Sequence, residues 1–182
     1  MEVVEGVAEI DDIGAFVEQL GEIADSHGVT AQAFDANYVV DRAHLRRAVD
    51  NATRAMARDE MIADDRGVEI LLYAAGRRQI NRAFEMGVST GECPVVICVV
   101  DCDEHDWDGD EWGEDGSVER TESERNAAAE IEGLLDAKDV LGEYDRESVC
   151  EFFEITETEL DVTKGGISDL VRERVALLVV ER

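Results

Sequence analysis

The most informative stretch of this 182-residue chain is Val68-Glu69-Ile70-Leu71-Leu72-Tyr73-Ala74-Ala75-Gly76-Arg77-Arg78-Gln79-Ile80-Asn81-Arg82-Ala83-Phe84-Glu85-Met86. Its first half is an apolar run that ends at Gly76. Periodicity cannot separate a buried helix from a buried strand over so short a run. The glycine marks a break in either case, because it adopts backbone conformations that other residues avoid.

The second half, Arg77–Met86, is amphipathic. Helical spacing predicts that Ile80, Ala83 and Phe84 face inward, and Gly87 is predicted to end this helix. A helix beginning just after Gly76 would expose backbone N–H groups next to two adjacent arginines.

Outward from this stretch, the pattern predicts strands and helices in mixed order. The predicted strands are Val3–Ile10, Thr30–Asp35 and Pro94–Val100. The predicted helices follow Asp12 (with Ile13, Phe16, Val17, Leu20 and Ile23 inward), follow Asp41 (with Leu45, Ala48, Val49, Ala52, Ala55 and Met56 inward), resume near Ser123, and include Glu147–Phe153, Glu157–Leu160 and a last helix from Gly166 towards Leu178. A chain of this length is expected to form one domain, residues 1–182.

The net charge is extreme. The chain has 45 acidic against 17 basic residues, which gives −28 at pH 7. At molar salt the Debye length falls to about 3 Å, so self-repulsion is screened and an acidic surface stays hydrated. We interpret the charge as adaptation to a salt-rich cytoplasm, typical of a halophile. Total charge therefore does not exclude an RNA partner.

The four cysteines show no Cys-x-x-Cys spacing, and no apolar run approaches the roughly 20 residues that span a membrane. No targeting segment is visible at the N-terminus. We expect a cytoplasmic protein with reduced thiols and no membrane partner.

Positive charge is concentrated in residues 42–82. This segment holds nine arginines and six acids, a net of +3, whereas the remaining 141 residues hold 8 bases and 39 acids. Arginine pairs with phosphate and stacks on bases, so the segment is a candidate RNA surface. The alternative is that these arginines pair with nearby acids such as Asp50 and Asp59 as surface ion pairs.

Residues 101–120 form the most acidic segment, with nine acids and no lysine or arginine between Asp101 and Asp115. We expect a mobile loop or insertion. Positions 104–115 follow an EF-hand register only partly, because Glu104 and Asp115 are the wrong residues at its two ends. The three histidines lack metal-ligand spacing, and no catalytic or nucleotide-binding motif occurs. We expect no metal, no cofactor and no enzymatic activity.

Residues 29–36 (Val-Thr-Ala-Gln-Ala-Phe-Asp-Ala), His44-Leu45 with Ala48-Val49, Ile62-Ala63 and above all residues 69–83 together resemble the PRPK-binding protein family, the small accessory subunit of the KEOPS complex. The resemblance is dense over residues 29–100, and the segment 101–120 departs from it. It implies an α+β fold, a small antiparallel sheet packed by several helices in one compact domain, with Val68–Ala75 and the C-terminal segment helical.

The resemblance also implies function. Family members bind the atypical kinase/ATPase subunit of KEOPS and help recruit tRNA through its 3′ CCA end. The complex makes threonylcarbamoyladenosine, and catalysis lies in another subunit.

We therefore predict RNA-binding residues Arg77, Arg78, Gln79, Asn81 and Arg82, with Arg46, Arg47 and Arg54 as outer phosphate contacts. We predict partner-binding residues Ile167, Leu170, Val171, Arg174 and Val175. Two rival functions remain: a purely structural interaction subunit without RNA contact, and an enzyme or calcium sensor centred on the acidic segment.

Overall fold

A computed structural model describes residues 1–103 and 121–178. The described residues form eight α-helices and four strands, which confirms the predicted α+β class. In chain order the elements are β1 Glu2–Ile10, α1 Ile13–His27, β2 Thr30–Asp35, α2 Arg42–Ala57, α3 Arg66–Ala75, α4 Ile80–Ala83, β3 Gly91–Val100, α5 Glu122–Glu132, β4 Asp136–Ala137, α6 Arg146–Phe152, α7 Glu157–Val162 and α8 Gly166–Leu177, with 3-10 turns at Ala36–Tyr38 and Phe84–Met86. Residues 104–120 of the predicted acidic loop, which include the EF-hand register, lie outside the described residues.

The sheet is antiparallel, in the order β2-β3-β1-β4. β3 is central and buried on both faces, because successive side chains of a strand alternate between them. Val96, Cys98 and Val100 enter one core with α2, α3 and α8. Val95 and Ile97 enter the other core with α1 and α5. The apolar run predicted as a strand is therefore the partition between two cores.

Capping residues fix where the helices begin. Asp12 and Asp41, both predicted, accept hydrogen bonds from backbone N–H groups of the first turn, at 2.9 Å from Ala15 N and 2.7 Å from His44 N. α1 ends at Gly28, whose φ of 67° is left-handed. These local signals could be read from sequence because each acts within four residues.

The run Val68–Ala75 is helical, as the resemblance implied. The predicted helix over Arg77–Met86 is wrong. The chain turns after Gly76, forms the single-turn α4, and then narrows to a 3-10 turn. Ala83 and Met86 are buried, but Ile80 is 40% and Phe84 is 54% exposed. A four-residue helix leaves too few turns for one continuous inward stripe.

A similar correction applies to α1. Leu20 and Ile23 are buried, but Ile13 is 39% and Val17 is 51% exposed. Phe16 is partly buried against the core that contains β3 residues Val95 and Ile97, so the inward side of the helix is narrower than predicted. Periodicity identified the apolar side of the helix without showing how far the core extends beneath it.

The glycine at position 6 tests the packing of the short edge strand β4. A Cβ on Gly6 would lie 2.6 Å from the Asp136 carbonyl oxygen, which is a backbone clash. We expect Gly6→Ala to lower the free energy of unfolding by about 1–3 kcal/mol, as overpacking does. Thermal denaturation at fixed salt measures this.

Gly21→Ala is the matched control. Gly21 lies inside α1, and a Cβ there meets nothing within 4 Å. Alanine should stabilise that helix by about 0.5–1 kcal/mol. Equal effects of the two substitutions would contradict the close approach of β4 to β1.

Candidate functional site

The predicted RNA-binding stretch begins at the C-terminal end of α3. Gly76 has a φ of 59°, and its N–H donates to the carbonyl of Tyr73 at 3.0 Å. The N–H of Arg77 donates to Leu72 O at 3.1 Å, so the helix ends in a Schellman-type turn. A Cβ at Gly76 would also lie 3.2 Å from the carbonyl oxygen of Arg174 in α8. Glycine is required here for both conformation and space.

A third carbonyl at this helix end is satisfied from α2. His44 is fully buried, and its Nε2 lies 2.8 Å from Ala74 O. The carbonyl can only accept, so Nε2 carries the proton in the neutral ring. Nδ1 has no hydrogen-bond partner among the described residues. Burial lowers the pKa of His44, which keeps the ring neutral.

His44 was not predicted as a site residue, and its position in the sequence indicates a core residue instead. It lies four residues before Ala48 on the apolar stripe of α2, where a histidine is more often a core residue than a ligand. The structure shows such a core residue, with its ring edge-on to Phe153 at 5.7 Å between centroids.

Arg77 is held by the protein itself. Its guanidinium donates to Phe152 O at 2.6 Å and to Glu154 Oε1 at 2.9 Å, and lies 5.9 Å from the Phe152 ring centroid. Only 22% of its side chain is exposed. Arg77 therefore links the turn to the end of α6. For this residue, the alternative in which the arginines pair with the protein's own acids is the one observed.

The next residues face solvent. Arg78, Gln79 and Asn81 are exposed, and their side chains make no hydrogen bond or ion pair with residues 1–103 or 121–178. Arg82 is also exposed and pairs with Glu85 at 2.7 Å. Both partners are about half exposed, and such pairs contribute about 1 kcal/mol or less, so a ligand can displace the carboxylate.

The predicted arginines of α2 act electrostatically on one buried acid, Asp50. The positive charges that favour ionised Asp50 are those of Arg54, Arg46 and Arg47 and, after them, the N-terminal ammonium group. Burial nevertheless dominates and raises the pKa of Asp50 to about 6. At about 1.5 Å per residue, Arg54 lies roughly 15 Å along the helix from His44, whereas Arg46 and Arg47 lie within one turn of it.

The predicted partner-binding residues divide by burial. Ile167, Leu170, Val171 and Val175 lie in the core against α2 and α3, so their side chains are not available to a partner in this structure. Arg174 donates to Glu159 Oε1 at 2.6 Å. The exposed apolar residue of α8 is Leu177, at 40%.

A cavity of about 370 Å³ lies between the Gly76 turn and α8. Arg77 and Arg174 line it, and each is already bonded to a carboxylate and a backbone carbonyl. The Thr156 backbone N–H and Arg174 together hold the pKa of Glu159 at about 2, so that carboxylate is ionised across the neutral range. Each of the two arginines that line the cavity is therefore already paired with a carboxylate, Glu154 for Arg77 and Glu159 for Arg174.

No cluster of three or more metal-ligating side chains occurs among the described residues. Across the same two ranges, no helix has the length and hydropathy needed to cross a bilayer.

Residues 8–178 match the family described as kinase binding protein CGI-121. The chain belongs to this family. A comparison with individual curated proteins gives no match. The match to the CGI-121 family begins inside β1 and covers every later helix and strand of the described residues, so the family assignment rests on nearly the whole fold rather than on one motif.

Asp50 gives a pH-dependent prediction. Its folded-state pKa of about 6 exceeds the ordinary value of 3.8, so the native state gains from protonation, and that gain is lost as the pH rises through about 6. Asp50→Asn removes this titration. We expect the variant to be more stable than the wild type at pH 7.5 by about 1 kcal/mol or more, with the difference shrinking towards zero near pH 4.

Chemical denaturation at several pH values measures this difference. Asp139→Asn is the control, because Asp139 is an exposed acid. A pH-independent difference between Asp50→Asn and the wild type would contradict the burial of an ionised carboxylate.

Proposed function

We propose that this protein is a non-catalytic accessory subunit of a KEOPS complex in the cytoplasm. It binds the atypical kinase/ATPase subunit and recruits tRNA by the 3′ CCA end, supporting threonylcarbamoyladenosine formation elsewhere in the complex. Membership of a kinase-binding family supports the first role. The exposed polar residues after Gly76 support the second.

The observation that carries the RNA role is the contrast between Arg77 and Arg78. Arg77 anchors the turn, and Arg78 projects from it without a partner in the described parts of the chain. Gln79 and Asn81 add amide groups that both donate and accept hydrogen bonds. A rigid backbone that presents a cation and two amides suits a phosphate and the edges of unpaired bases.

The acidic remainder of the chain constrains how RNA binds. We propose that the protein works at high salt, where phosphate contacts lose their counterion-release benefit. Base stacking and base-edge hydrogen bonds then supply more of the affinity. An acidic protein that recruits RNA by an unpaired tail, rather than by a broad cationic face, is consistent with that requirement.

Charge reversal at Arg78 tests the RNA surface. We expect Arg78→Glu to weaken binding of CCA-ended tRNA about tenfold, because a cation is lost and an anion now faces phosphate. Fluorescence anisotropy with labelled tRNA at two salt concentrations measures the dissociation constant and its salt dependence. The logarithmic salt slope should fall by about one unit.

Lys138→Glu is the matched control. It makes the same charge change at an exposed site just after β4, at the opposite edge of the sheet from β2. Trimming the CCA end should weaken wild-type binding. If tRNA binding is unchanged both by trimming and by Arg78→Glu, the remaining function is that of a purely structural interaction subunit without RNA contact. The internal ion pairs of Arg77 and Arg82 favour that alternative.

For the kinase, we propose docking on the outward side of α8, where Leu177 is exposed beside the partly exposed Arg174. The buried residues of this helix act indirectly, by fixing its position against the core. Leu177→Glu should weaken kinase binding at least tenfold, because a charge would enter a desolvated contact. Calorimetric titration with the purified kinase subunit measures this.

Ile13→Glu serves as the control for that measurement. Ile13 has nearly the same exposure, 39% against 40%, but lies on α1 on the other side of the sheet. Loss of kinase binding in Ile13→Glu with retention in Leu177→Glu would move the docking surface to α1.

A further inference from the structure

Exposed large apolar side chains cluster near the proposed RNA surface. Within the described residues six are exposed, and two of them, Ile80 and Phe84, lie four positions apart on the short segment that also carries Arg78 and Arg82. Residues at this spacing share one side of a helical turn. The structure therefore combines apolar surface and cations on one segment, where sequence predicted that the apolar residues would be buried.

Phe84 stands at the wall of a groove of about 670 Å³. The edge strand β2 contributes residues 30–33, while Val17 of α1 and Val68 and Leu71 of α3 form the sides. The groove volume falls in the range of about 300–1,000 Å³ that is typical of small-ligand sites. Over half of the Phe84 side chain is exposed, so its ring is available for stacking.

The rim of the groove is acidic. Asp25, Asp64 and Asp65 border it, and its one arginine, Arg66, pairs with Asp103 at 2.9 Å. Ionised carboxylates only accept hydrogen bonds. They repel a phosphate but can bind the exocyclic amino group of cytosine or adenine. Phosphates would remain outside, beside Arg78 and Arg82.

We propose that Phe84 is a base-stacking residue, and that the groove takes an unpaired amino-bearing base of the RNA 3′ end. The inference rests on the proposed RNA role and adds a location and a base preference to it. Single-stranded RNA is commonly recognised by bases stacked on aromatic rings, with phosphates held by arginine. Stacking is less sensitive to salt than phosphate contact, so it suits an acidic protein in concentrated salt.

The test compares Phe84→Ala and Phe84→Leu with Phe84→Trp. We expect the first two to weaken binding of CCA-ended tRNA at least fivefold, since each stacked base contributes about 1–3 kcal/mol. Tryptophan should retain binding because it keeps an aromatic face. Leucine preserves apolar volume, so its failure would be due to the lost ring rather than to misfolding.

Two further readouts separate stacking from a general loss of binding. Wild-type protein should prefer tRNA ending in CCA over tRNA ending in UUU, and Phe84→Ala should lose that preference. The salt slope should be unchanged in Phe84→Ala, in contrast to Arg78→Glu. Val162→Ala is the control, since Val162 is 78% exposed on α7.

The outcomes distinguish this inference from the function on which it rests. If Phe84→Leu binds CCA-ended tRNA like the wild type while Arg78→Glu does not, the stacking role is overturned and RNA recruitment stands. If neither variant nor the tail sequence matters, both fail. Loss of kinase binding in Phe84→Leu, with RNA binding intact, would show that the groove docks protein and would also overturn the proposal.

Discussion

The end of α3 is the constraint on which the arrangement around the candidate site depends. A helix that stops inside a protein leaves carbonyls that need donors. Here the Gly76 and Arg77 N–H groups supply two, and His44 of α2 supplies a third through Ala74. Because the donors come from the turn and from a neighbouring helix, the end of α3 is fixed in both direction and position. The close approach of α8 to Gly76 adds a steric limit.

The two adjacent arginines at this turn differ in their contacts and exposure. Arg77 joins it to the carbonyl of Phe152, and Arg78 extends into solvent. The difference follows from backbone geometry, since consecutive residues leaving a left-handed turn point in different directions. Removing Arg77 would weaken the attachment of the Gly76 turn to α6, whereas removing Arg78 would change only the charge of the turn. A purely electrostatic description of the nine arginines would miss this distinction.

The effect of charge on ligand binding depends on where the charged residues lie, and not only on the net charge. The net charge of −28 opposes any polyanion, and the few exposed cations near Gly76 adjoin exposed apolar surface at Ile80 and Phe84. In concentrated salt the repulsion is screened, but the attraction between arginine and phosphate is screened as well. Apolar contact is the contribution to binding that salt does not screen. Asp50 shows the complementary effect inside the molecule, where burial outweighs three nearby arginines and raises its pKa.

Sequence alone determined the features that depend on a few neighbouring residues. The caps at Asp12 and Asp41, the break at Gly76 and the apolar strand before Asp101 were all correct, because each is set by residues close together in sequence. The family resemblance resolved Val68–Ala75 as helix, which periodicity alone left open. The two-residue strand β4 gave no sequence signal, since its pairing with β1 is entirely non-local.

Only the tertiary structure decided which side chains are exposed. Identical spacing rules buried Ala83 and exposed Phe84, buried Leu20 and exposed Val17, and placed the apolar side of α8 in the core. Periodicity gives the direction of an apolar face along one helix, but burial depends on what another element places over that face. The contacts that separate Arg77 from Arg78 span 75 residues of sequence, from the Gly76 turn to α6. Such contacts depend on how the chain folds back on itself, which no local pattern encodes.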